Sequence, residues 1–331
     1  MKDKLLLILI LLLIISCGTD EPQRKVAIKK VEPTIPQPKI EKPVFDADSA
    51  YLYVKEQVDF GPRYPNNEAH GKCAKYLENK LKSFGLKAST QLGKAVTFNK
   101  KNITIKNIIG EYNPDAEKRI LLFAHWDTRP FADQDTKNMT KPILGANDGG
   151  SGVGVLLEVA RQLSLTQPTI GVDIIFFDAE DYGQPSSMHS NESSSDSWCL
   201  GSQYWSKNPH IENYKAEYGI LLDMVGATNP QFRQEAFSNQ FAPLIVQKVW
   251  SNAKKLGYNN YFLNQQTGYI TDDHKFVNEI ANIPSIDIIH YENNRGSFHP
   301  TWHTHHDNMN IIDKKSLAAV GEVLLYTIYH E

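Results

Sequence analysis

Apolar residues follow two rhythms along this chain. Short unbroken runs occur at Arg119–Ala124 (RILLFA), Val172–Phe177 (VDIIFF), Gly219–Met224 (GILLDM) and Ser285–Ile289. Runs of that length without alternation are characteristic of strands buried on both faces. Ala88–Phe98 and Ile103–Tyr112 are two further strand candidates. Between the runs, apolar residues recur at helical spacing over Asp48–Val58, Glu68–Phe84, Gly150–Leu163, Asp196–Ser206, Phe241–Leu256 and Lys314–Tyr329. Gly85 is placed to end the second of these helices. Helices alternating with buried strands predict one α/β domain, its central sheet largely parallel and covered by helices on both sides. The stretch Gln184–Ser197 is polar and Ser-rich and reads as an excursion over the surface.

The first 44 residues break this pattern. MKDK is followed by the apolar run LLLILILLLII and then by Ser16-Cys17-Gly18. The run is short for a membrane span and suits a signal-peptide core. A small residue before Cys resembles a bacterial lipobox, so residues 1–17 are expected to be a lipoprotein leader with Cys17 as the lipidated residue. An uncleaved anchor or a plain signal peptide is the alternative. Residues 18–44, with recurrent Pro and alternating charge, read as a tether, leaving 45–331 as a single catalytic domain. The expected location is that of an exported lipoprotein, on the periplasmic side of either membrane or on the cell surface.

Composition adds exclusions. The chain has 331 residues and a net charge of -3, with no long Lys/Arg block, which gives nucleic-acid binding no electrostatic support. Beyond Cys17 only Cys73 and Cys199 remain. They lie in distant segments and are expected as two buried thiols, although an oxidising compartment would permit a bridge.

The candidate chemistry falls just beyond the predicted strands, where open α/β sheets place their sites. His125 and Asp127 follow RILLFA, Glu180 and Asp181 follow VDIIFF, Asp223 closes GILLD, and His303 lies in the loop after the last strand. Two carboxylates and one imidazole would hold a single zinc with an open position, with a further carboxylate free for proton transfer. Each motif also has a structural reading. FFDAED could be a solvated acidic turn. Asp148 in GANDGGSG could cap a helix. The His299, His303, His305 and His306 cluster could be a weak metal patch, although Trp302 gives His303 an aromatic wall suited to a small pocket. Asp272-Asp273 is costly to bury unless paired or protonated.

Taken in order, FGPRYP, AHWDTRP, GANDGGSGVGVLLE, FFDAED, GSQYW, LLDMVGA, TDDH and WHTHHDN resemble the zinc-dependent aminopeptidase superfamily. Within it they are most similar to the animal-type glutaminyl cyclases and to the lipoprotein members found in Bacteroidetes. The resemblance covers roughly residues 45–331. It implies a mixed, mostly parallel sheet between helix layers. It also implies one zinc per chain on Asp148, Asp181 and His303, Glu180 as general acid/base, Asp223 and Asp272 as supporting carboxylates, and Trp302 lining the pocket. Animal members carry Glu where this chain has Asp181. The implied activity is cyclisation of N-terminal Gln to pyroglutamate on exported peptides or proteins, with no oligomer required. The alternative is a dinuclear aminopeptidase, which would use His125, Asp148, Asp181, Asp223 and His303. All five are present, so Asp272 and Trp302 are what favour the cyclase.

Overall fold

The computed structural model describes residues 41–185, 188 and 194–331. The leader, Cys17 and nearly all of the tether lie outside the described residues, as does part of the Ser-rich excursion. From residue 41 onward the chain forms one compact body.

Its core is a six-stranded sheet of β1 (Lys87–Val96), β2 (Asn102–Tyr112), β3 (Arg119–His125), β4 (Gly171–Phe177), β5 (Gly219–Asp223) and β8 (Ser285–Ile289), in the order β1-β2-β4-β3-β5-β8. The β1–β2 and β2–β4 pairs are antiparallel, and β4, β3, β5 and β8 run parallel. A separate parallel pair joins β6 (Phe232–Gln234) to β7 (Phe262–Gln266). The helices are α1 (Ala47–Val58), α2 (Glu68–Ser83), α3 (Gly150–Leu165), α4 (Leu200–Lys207), α5 (Ala236–Phe241), α6 (Pro243–Lys255), α7 (Asp273–Glu279) and α8 (Lys314–Ile328). The sheet is therefore mixed and mostly parallel, with helices on both faces.

Strand pleating explains why the four parallel strands are mostly apolar on consecutive positions and buried along nearly their whole length. Ile120, Leu122 and Ala124 of β3 face one way and pack with Val54 of α1, Leu156 of α3 and Leu324 of α8. Leu121 and Phe123 face the other way and meet Trp205 of α4 and Val277 of α7. Every other position thus enters a different core, and almost no strand position is left for solvent.

Two helix boundaries differ from the sequence expectation. The helix expected at Phe241–Leu256 is α6, which starts two residues later at Pro243; the short α5 before it was not expected, and Glu235 caps it through the Phe237 and Ser238 amides. Pro at the first helical turn sacrifices no intrahelical hydrogen bond, so a start there costs little. The helix expected at Asp196–Ser206 is a 3-10 turn, Ser194–Ser197, followed by α4. Cys73 and Cys199 are both free and buried.

Candidate active site

The parallel strands bring their carboxyl ends together, and the chemistry gathers there. His125 is the last residue of β3 and Asp223 the last of β5. Asp148 lies two residues before α3 and does not cap it; the cap position is Gly149, at φ 85°. A side chain at Gly149 would collide with the Asp127 carbonyl, so glycine lets α3 start close against β3. The backbone at the strand ends is tightly turned. Ala179, Cys199, Met224 and His303 all adopt left-handed φ values, between 49° and 56°.

Two groups of ligating atoms share Asp148. In the first, His303 Nε2 lies 2.9 Å from Asp181 Oδ1 and 3.6 Å from Asp148 Oδ2. In the second, His125 Nε2 lies 3.0 Å from Asp148 Oδ1 and 3.1 Å from Asp223 Oδ1. Among the described residues the first group holds two buried carboxylate oxygens without a hydrogen-bond partner, Asp148 Oδ2 and Asp181 Oδ2, of which only the shared Asp148 oxygen belongs also to the second. Burial and the neighbouring Asp148 carboxylate push Asp181 up to about 6. Unpartnered buried carboxylate oxygens beside an imidazole are costly as they stand and are satisfied by one cation, so the residues fit a zinc ion.

The remaining carboxyls form a third group. Glu180, Cys199 and Asp272 place ligand-type atoms within 4.8 Å of one another, and the Cys199 thiol donates to Glu180 Oε1 at 3.4 Å. Burial raises Glu180 well above its ordinary value, and the Asp181 and Asp272 charges add to the rise. Burial and the Asp223 charge push Asp272 up to about 7, while burial alone dominates the rise of Asp223 to about 6. Such carboxyls cannot all ionise together and must share protons.

Asp148, Glu180, Asp181, Asp223, Asp272, Trp302 and His303 all line one cavity of about 430 Å³. Trp302 stacks on His303 with ring centres 3.8 Å apart. Of the four clustered histidines, His303 faces the carboxylates. His299 turns to Thr301 and His305 to Asp135, while His306 is exposed.

Sequence reasoning named Asp127 without giving it a role and passed over several other supporting groups. Asp127 accepts the amides of Glu180 and Asp181 at 3.0 and 3.2 Å. Asp307 likewise accepts those of Asn147 and Asp148 at 2.7 and 3.0 Å. The buried Arg63 guanidinium ties down the loop before Asp148 through the Leu144 and Gly145 carbonyls, each at 2.8 Å. Trp198 forms a second aromatic wall, parallel to the His303 ring at 6.0 Å. Asp127 and Arg63 sat within motifs already singled out.

Comparison with known proteins follows the same lines. The model of peptidase family M28 matches residues 107–328. The glutaminyl cyclase of Bacteroides thetaiotaomicron, solved bound to N-acetylhistamine, is 54% identical with a TM-score of 0.86, covering 88% of this chain and 100% of that one. The Tannerella forsythia glutaminyl cyclase is 51% identical with a TM-score of 0.85, over 87% of this chain and 100% of that one. Aminopeptidase YwaD of Bacillus subtilis is 28% identical, over 69% of this chain but only 45% of its own length.

Proposed function

The chain belongs to peptidase family M28, in the branch that holds the glutaminyl cyclases, and from that premise we propose that it converts N-terminal Gln of peptides or proteins to pyroglutamate, releasing ammonia. The cluster accommodates one zinc per chain, and its proposed ligands are Asp148, Asp181 and His303. Bound there, zinc supplies a Lewis acid that polarises the substrate's side-chain amide carbonyl.

The protein's own residues account for the rest. The substrate α-amine forms the new C–N bond to the side-chain carbonyl carbon, and the bond to the amide nitrogen breaks. Glu180 takes one proton from the amine and returns it to the departing nitrogen, which leaves as ammonia. A carboxyl raised by burial suits both transfers. Asp272 holds Glu180 and the reacting nitrogen in place, and Asp223 shares protons with Asp272. Trp302 packs on the substrate side chain and keeps water away, favouring cyclisation over hydrolysis. The attack is intramolecular, so a cavity that keeps the Gln curled contributes much of the rate.

The observation that carries this reading is Asp272 set beside Glu180 in the cavity, its carboxyl pushed up to about 7 by burial and by the Asp223 charge. A proton-sharing pair at that point satisfies Asp223 without a second cation. The intact His125, Asp148 and Asp223 group is what favours the alternative, a dinuclear aminopeptidase. Mass spectrometry of a Gln-initiated peptide incubated with the enzyme, with zinc counted on the same sample, separates the two. Loss of one ammonia with about one zinc per chain is the expected result. Loss of a whole residue with about two zincs would make the protein a peptidase. The charged start, apolar run and Ser16-Cys17-Gly18 support export with a lipid on Cys17, which places the substrates among exported proteins.

A further inference from the structure

We propose that Arg129 and Asp133 are positioning residues that hold two of the zinc ligands, His303 and Asp181, as one unit; the inference rests on the ligand set proposed above. The argument begins with the imidazole. His303 turns Nε2 toward Asp181 and Asp148, so a ligating ring must carry its proton on Nδ1. Asp133 Oδ1 stands 3.2 Å from that nitrogen. The approach is oblique, and Nδ1 has no hydrogen-bond partner among the described residues, which leaves Asp133 as the acceptor beside it. A carboxylate behind a ligating imidazole fixes its tautomer and orientation and makes it a stronger donor to the metal.

Asp133 is itself fixed. Arg129 grips both of its oxygens, Nε to Oδ1 at 2.9 Å and Nη2 to Oδ2 at 3.0 Å. The remaining amino group of the same guanidinium donates to the Asp181 carbonyl at 2.8 Å and the Gly183 carbonyl at 2.9 Å. One planar cation therefore reaches the backbone of one ligand and, through Asp133, the side chain of another. Its faces are covered as well, by Phe131 at 4.3 Å and Trp198 at 4.5 Å. Trp198 in turn lies parallel to the His303 ring and lines the substrate cavity. Lys could not replace Arg here, because an ammonium cannot span a bidentate carboxylate and two carbonyls in one plane. A buried ion pair serving only the fold would need no such alignment with the ligands.

The test is the isosteric change Asp133→Asn, with Arg129→Lys as a second variant and His303→Ala as the control, all made in the full catalytic protein. Zinc release to a chromogenic chelator should quicken about 10- to 100-fold in Asp133→Asn. The gap in Tm between zinc-loaded and zinc-free protein should shrink, because a ligand's stabilisation rises with the logarithm of its affinity. A role confined to the fold would lower both Tm values and leave the gap intact. Arg129→Lys should shift release and gap in the same direction. With zinc saturating, KM for a Gln peptide should stay within about twofold while kcat falls. Wild-type release and gap in both variants, with zinc lost from His303→Ala, overturns this inference alone. Zinc retained in His303→Ala overturns the ligand set, and this inference with it.

Discussion

On one side of the cavity floor, Asp148 and Asp181 present oxygens that no proton donor reaches, next to the ring of His303. On the other side, Glu180, Asp223 and Asp272 crowd together, raised by burial and by one another, with a thiol hydrogen and the His125 ring within reach. Both sides gather buried acidic groups at one cavity. On the ligand set proposed above they differ in what would neutralise them: a divalent cation in one place, shared protons in the other. The same residue types can thus build a metal site and a proton-transfer site less than a side chain apart. What separates them is whether each oxygen faces a donor hydrogen.

Substitution should split the two sides cleanly. His303→Ala has the largest expected effect: zinc content near zero by atomic absorption and turnover down on the order of 10³-fold or more. Retained zinc would move that ligand elsewhere. Glu180→Gln should keep zinc and lose about 10²- to 10⁴-fold in kcat. An active Glu180→Gln enzyme would sink its assignment as acid/base. Asp272→Asn should cost about 10- to 100-fold, the range for one lost buried hydrogen-bonding partner, again with full zinc. If that variant is isolated without metal, Asp272 belongs to the cation side and the contrast fails. Trp302→Ala should be mildest, raising KM for a Gln peptide by roughly tenfold through lost ring packing. A change in kcat alone would place Trp302 with the proton machinery.

Much of the fold could be read from sequence because burial leaves a plain mark. The runs RILLFA, VDIIFF and GILLD are apolar on consecutive residues because alternate positions enter different cores, and their strands lie where expected. The strands β6 and β7 were missed for the opposite reason. Phe232–Gln234 and Phe262–Gln266 are short, largely polar and without a run to notice. The helix α7, seven residues capped by Asp272, is too brief to show a period. Its absence from the reading hid why Asp272 points as it does: its carboxylate accepts the Asp273 amide at the helix start.

The site divides in a similar way. Asp148, Glu180, Asp181, Asp223, Asp272, Trp302 and His303 could be named from motif order, and the folded chain brings them to one cavity. The roles of the groups behind them could not. Asp127, Asp133 and Asp307 act on backbone amides or on the far nitrogen of a ring, contacts that join residues up to 170 positions apart. Nothing in local spacing records such pairings. An acid that receives backbone N–H groups looks the same in sequence as one facing water.

The left-handed backbone at Ala179, immediately before Glu180, has a consequence for heat tolerance. A side chain in that conformation costs about 1–2 kcal/mol, a cost glycine does not carry. Ala179→Gly relieves that cost but gives up a buried methyl and adds freedom to the unfolded chain, so the strain is nearly offset and the melting temperature is expected to change little. It would also free the hinge from which Glu180 projects. Turnover would then fall without a matching gain in heat tolerance, so the strained alanine is worth more to the aim of Glu180 than to the endurance of the fold.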